Sequence, residues 1–170
     1  MCRILIQVFD TEIPIAEIHY FPRRVKRRDG TTKVKRSFHL ALSRGMIVKL
    51  LATPEIGPVA LIHVVGHEFQ HRRQIEMYGW TLNPVHSQEF ERDADTAPIK
   101  RMVKAGIDPR PLLDFYKSPE GIEIYNYKSN LIAGILSSHP NYEFRMSSLQ
   151  LALANEFEGK TPKVSTPNMP

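Results

Sequence analysis

The chain has 170 residues, 42% of them hydrophobic, which is enough for one compact domain with its own core. Its single cysteine, Cys2, excludes an internal disulfide framework and a cysteine zinc finger, so any metal must be held by histidines and carboxylates. The net charge of +5 is local: Arg23, Arg24, Lys26, Arg27, Arg28, Lys33, Lys35 and Arg36 share a segment with one acid, Asp29, and the rest of the chain is slightly acidic.

In chain order, residues 3–9 and 13–20 are rich in Ile and Val with partial alternation, and Asp29-Gly30 is a turn dipeptide between two extended stretches. Residues 1–40 are therefore expected to form a small β-sheet with a basic hairpin. The run at 4–9, closed by Asp10, lacks the longer apolar region and cleavage site of a secretory signal. A lipid anchor on Cys2 would need a removed signal that is not seen. The longest apolar stretch, residues 56–65, contains Gly57, Pro58 and His63 and is too short for a bilayer. The expectation is a cytoplasmic chain with no membrane span.

From Ser43 the periodicity becomes helical through Met46, Ile47, Leu50 and Leu51, and Pro54 marks a break. Pro58 suits the first turn of a second helix, which is expected to run through Leu61, Ile62, Val65 and Phe69 to near Gly79. A polar helix follows, with Ser87 as its N-cap, Pro98 as a kink and Gly106 as its stop. Asp108-Pro109 is expected to cap the next helix. Pro140 opens a last amphipathic one, and residues 159–170 read as a disordered tail to a single domain spanning 1–158.

His67-Glu68-Phe69-Gln70-His71 is an HExxH sequence. On a helix, histidines at i and i+4 point the same way and can chelate one ion, and imidazole suits Zn²⁺. Glu68, beside the first ligand, is placed to act as general base. A catalytic zinc site needs a third protein ligand. Glu91 fits that need, because 19 residues separate it from His71, room for a helix end, a loop and the first turn of an antiparallel return helix. Asp95, one turn on, can accept an N–H from a ligand histidine and fix its tautomer. The plain alternative for both acids is a solvated helix face.

These motifs resemble those of the gluzincin metallopeptidases that include the heat-shock protease HtpX and the CAAX prenyl proteases. The residues that carry the resemblance are His67 to His71, Glu91 to Asp95, Ala105-Gly106-Ile107-Asp108-Pro109, and His139-Pro140 with Arg145, in that order over residues 43–155. It implies a zincin-like fold for the mostly helical catalytic region over 43–157. The N-terminal sheet is read from the strand pattern, which the resemblance does not cover, and the expectation is an α+β domain in which that sheet flanks the active helix. The resemblance also implies one zinc per chain on His67, His71 and Glu91, with Glu68 as base and a protein or peptide substrate. Arg145 is implied as a stabiliser of the oxyanion. His139 is implied either in that role or as a reversible inhibitory ligand at the open metal position. Against this, His139-Pro140 can simply begin a helix while Arg145 pairs with Glu143 or another acid. Pro98 stands where the family usually has another helical residue, and the membrane-spanning helices of larger members are missing.

His86, 15 residues after His71, offers a rival third ligand and a resemblance to SprT-like metalloproteases, some of which carry cysteines that this chain lacks. A catalytically silent, metal-bound binding module is a further reading, but it leaves Glu68 without a task. His63, one turn before His67, is expected to pack or hydrogen-bond beside the site. The basic segment over residues 23–36 is either a solvated hairpin or a surface for nucleic acid or anionic lipid.

Overall fold

The computed structural model describes residues 4–78, 84–124 and 142–157. Three strands, β1 (Ile4–Phe9), β2 (Ala16–Lys26) and β3 (Thr32–Ser43), form a mixed sheet in the order β1-β3-β2. The central strand β3 pairs antiparallel with β2, and parallel with β1. The β2–β3 hairpin turns where Asp29-Gly30 requires it: Gly30 sits at φ 79°, and Asp29 Oδ1 accepts the backbone N–H and the hydroxyl of Thr31 (2.9 and 2.6 Å).

Period-2 alternation sorts the sheet into two faces. Ala16, Ile18, Phe38, Leu40 and Leu42 are buried on one face, whereas Glu17, Phe21, Arg23 and Val25 are exposed on the other. Helices complete the α+β architecture, among them α1 (Arg44–Leu51), α2 (Gly57–Tyr78), α3 (Pro84–Lys104), α4 (Leu112–Lys117) and α5 (Tyr142–Phe157). Met46, Leu50, Ala60, Ile99, Leu112, Phe115 and Leu149 join the inner sheet residues in one core, with α2 lying between the sheet and α3. Among the described residues, no helix is long and apolar enough to cross a membrane.

Strand β3 passes into α1 without a loop, and Ser43 makes this possible. Its Oγ accepts the Met46 N–H as N-cap (2.9 Å) and the Ile15 N–H (2.8 Å), while its own N–H donates to the Ile15 carbonyl (2.9 Å). One buried hydroxyl thus ties the first helix to the β1–β2 connection.

Three boundaries differ from the sequence reading. Helix α3 begins at Pro84, so Ser87 lies inside it and is not its N-cap; proline at a first helical position gives up only an N–H that has no intrahelical partner. Asp108 does not cap α4, which starts at Leu112; its carboxylate instead closes a turn on the Arg110 N–H (3.0 Å) and holds the Arg110 side chain. A short helical stretch at 119–124 is absent from the expectations above, although Ser118 Oγ accepts the Gly121 N–H (3.2 Å) and Pro119 follows it. The stop at Gly106 is as expected: at φ 76°, it donates to the Val103 carbonyl (3.0 Å) while Ile107 donates to Met102 (2.8 Å), the two bonds of a Schellman end. Pro140 and the 159–170 tail lie outside the described residues.

Replacing Ser43 by Ala removes a cap and leaves the Ile15 N–H without its acceptor. It should cost about 2 kcal/mol. Urea unfolding followed by circular dichroism checks this, and a loss below a few tenths of a kcal/mol would show that the connection is not tied there.

Candidate metal centre

Helix α2 presents His63, His67 and His71 at intervals of one turn, on the side that meets α3. Close approach of the two helices is set by Gly66 and Pro98: a Cβ on Gly66 would lie 2.9 Å from the Pro98 Cβ and 3.1 Å from its Cγ. Pro98 is fully buried, and α3 continues through it. Because proline has no N–H, the Ala94 carbonyl one turn earlier loses its helical donor. His63 reaches across to this part of α3, its Nε2–H donating to the Asp95 carbonyl (2.8 Å). A carbonyl can only accept, so Nδ1 of His63 is the lone-pair nitrogen, and it accepts from the Tyr116 hydroxyl (2.7 Å). Burial pushes the His63 pKa down to about 4, in keeping with this neutral form.

The same reasoning fixes the other two rings. Nδ1–H of His67 donates to Asp95 Oδ1 (2.9 Å), and Nδ1–H of His71 donates to Gln74 Oε1 (2.9 Å). Gln74 is oriented in turn, since its amide N–H groups go to the Phe90 carbonyl and to Asp93 Oδ2 (both 2.9 Å). Both Nε2 atoms are thereby turned toward each other, 2.9 Å apart. Glu91, from the facing helix, brings Oε1 to 3.2 Å from His71 Nε2 and Oε2 to 3.5 Å from His67 Nε2.

The buried group His67, His71 and Glu91 can therefore hold a metal ion. A tetrahedral ion with bonds of about 2.0–2.1 Å spaces its ligand atoms by about 3.3 Å, and the three observed separations bracket that value. Two imidazole lone pairs at 2.9 Å repel unless a cation lies between them. Without an ion, a proton does that work: burial lowers the His71 pKa, but the hydrogen bond and charge of Glu91, with the charge of Glu68, outweigh it and raise the value to about 9. For His67, burial prevails and the pKa falls, so that ring is neutral.

Asp95 is almost fully buried. Burial alone would raise its pKa, but the Arg145 charge and the bonds from His67 and Arg145 hold its carboxyl well below the usual range. Arg145 Nε donates to Asp95 Oδ2 (2.8 Å) and Nη2 donates to Oδ1, a two-pronged grip from α5. The acid that Arg145 meets is thus Asp95 and not Glu143. Beside this pair lies a small cavity of about 30 Å³, room for about one water, lined by Met46, His63, Val64, His67, Glu68, Tyr116, Ile124 and Arg145. Glu68 itself is buried.

Of the residues singled out in the sequence, His67, Glu68, His71, Glu91, Asp95 and Arg145 converge at this one place. His139 lies outside the described residues. His86 falls on α3, with its side chain outside what is described. Gln74, Asp93 and Tyr116 are absent from the sequence reading. Only Gln74 left a local signal, since i+3 from His71 is the same helix face.

Two outcomes test this geometry. An ion must displace the His71 proton at pH values below about 9, whereas His67 has none to lose; affinity for a divalent metal ion should rise about tenfold per unit between about pH 7 and about pH 8.5, with about one proton released per ion. Calorimetry in buffers of different ionisation enthalpy counts that proton, and a flat profile would contradict it. Gly66→Ala gains about 1 kcal/mol of helix propensity while overpacking costs about 1–3 kcal/mol, so stability should fall by about 0–2 kcal/mol. Its affinity for a divalent metal ion should also fall, at least about tenfold, as α3 is pushed back; unchanged affinity would mean the contact does not set the site.

No protein-family model, curated protein or solved structure matches the chain.

Proposed function

We propose that the chain is a zinc-dependent endopeptidase with a zincin-like arrangement, in which His67, His71 and Glu91 hold one zinc ion and Glu68 is the general base. One observation carries the reading: two imidazoles locked with their Nε2 atoms facing a buried carboxylate, on a helix whose next residue after the first ligand is a second buried carboxylate. The donor set of two nitrogens and one carboxylate oxygen is that of zinc hydrolases, which leave a position open for water. Zinc bound there supplies Lewis acidity and lowers the pKa of water to about 7.

The protein's own groups do the rest. Glu68 takes the proton of the attacking water and passes it to the leaving amine, which needs a carboxylate shielded from bulk solvent. Asp95 keeps the His67 proton on Nδ1 and Gln74 keeps the His71 proton on Nδ1, so neither ring can rotate away from the ion. Arg145 acts through Asp95, neutralising the charge that burial would otherwise oppose. Strand β2, which packs on α2 and lies at the edge of the sheet among the described residues, offers a strand edge to an extended segment.

Glu68→Gln should retain zinc and fold while casein or a mixed peptide library is cleaved at least about a hundredfold more slowly. His71→Ala should lose the zinc. Elemental analysis paired with mass-spectrometric detection of products reads both, and equal turnover by wild type and Glu68→Gln would sink the mechanism.

A further inference from the structure

The outer face of the β2–β3 hairpin is untouched by the chemistry above, and its pattern is not that of a solvated hairpin. Five rungs of the ladder, from Pro22↔Arg36 to Lys26↔Thr32, hold every cation of the strands' outer half. The register pairs position 23 with position 35, so the ladder places two cationic residues at one rung. Arg23, Arg24, Lys26, Arg27, Arg28 and Lys33 are all exposed, and among the described residues no ion pair reaches them. The segment's one acid, Asp29, is turned onto Thr31. Such a concentration of unbalanced charge weakens an isolated hairpin and is relieved by a polyanion.

Where this cationic stretch meets the body of the protein lies a set of rings. Phe21 is 49% exposed, against the rule that large aromatics are largely covered. His19 stacks with it (centroids 6.2 Å apart, planes at 29°), and His39, from the adjacent strand, meets it at 4.7 Å. Residues 19, 21 and 23 alternate onto one face, so the ring platform runs directly into Arg23, with Lys33 two rungs further on. We propose that this face binds single-stranded nucleic acid, bases stacking on Phe21 and its flanking imidazoles while Arg23, Lys33 and the other hairpin cations follow the phosphates.

Two features favour this occupant. A hairpin that enters a lipid surface needs apolar residues at its tip, and here the tip is Arg27, Arg28 and Asp29 while the exposed aromatic sits at its base. A duplex hides the faces of its bases, so an exposed ring platform has no use there, whereas an unpaired strand can stack on it. The proposal does not depend on the peptidase reading.

The test is fluorescence anisotropy of the full chain with a labelled oligothymidine of about 20 nucleotides, alongside a duplex of equal length and flotation with phosphatidylserine vesicles. Single-stranded binding should weaken linearly in log–log form as salt rises. Phe21→Ala, at an exposed position, should weaken it by about fivefold to about a hundredfold, and Arg23→Ala with Lys33→Ala should reduce the salt slope. Duplex binding as tight as single-stranded and indifferent to Phe21→Ala would overturn the proposal, as would binding to vesicles alone or no binding at low salt.

Discussion

A carboxylate taken out of water is unstable unless charge and hydrogen bonds replace its hydration, and Asp95 is the point at which this chain meets that requirement. Its two oxygens are gripped by Arg145 from α5 and by His67 from α2, and its backbone carbonyl by His63. Each partner is itself buried, so none can leave without stranding another. Three helices distant in sequence are joined at one residue, and that joint places Glu91, one turn earlier on α3, opposite the two histidines.

The joint also settles proton positions. An imidazole has two tautomers of similar energy in water, and a metal ligand must present a chosen lone pair. Here the choice is made by acceptors: a carboxylate for His67, an amide oxygen for His71 and a backbone carbonyl for His63. The third case is the informative one, because His63 carries its proton on the opposite nitrogen from the other two and so turns a donor toward α3 rather than a lone pair. Three histidines on one face of one helix thus divide into two that can ligate and one that fastens the helices together. Pro98 and Gly66 complete the division, one limiting the hydrogen bonding of α3 and the other admitting the proline ring.

Much of this was legible in the linear order of residues. Spacings of four from His67 to His71 and from Glu91 to Asp95 are helical repeats, and they are retained because both segments are helices. The Asp29-Gly30 turn and the Gly106 stop are local conformational demands of the same kind. What was not legible depends on chain segments meeting across the fold. The parallel pairing of β1 with β3, Tyr116 behind His63, and Asp93 clamping Gln74 are contacts between elements that no spacing encodes. His19 and His39 illustrate the point best: 20 residues apart and unremarkable in sequence, they flank one phenylalanine because the β2–β3 register sets residue 19 opposite residue 39.

The sheet separates two kinds of surface. Its inner face is closed by α2 and supports a site where, in the reading proposed here, three negative groups, Glu68, Glu91 and Asp95, are balanced by Arg145 and one divalent ion. A centre of near-zero net charge suits an uncharged amide, which brings no charge of its own until the transition state. The β2–β3 hairpin carries cations with no such balance, and they are where long-range attraction for a polyanion is concentrated. A nucleic acid would therefore be held by the hairpin and not drawn into the metal site, which makes it a tether for the protein and leaves the metal centre to act on whatever polypeptide is brought within reach.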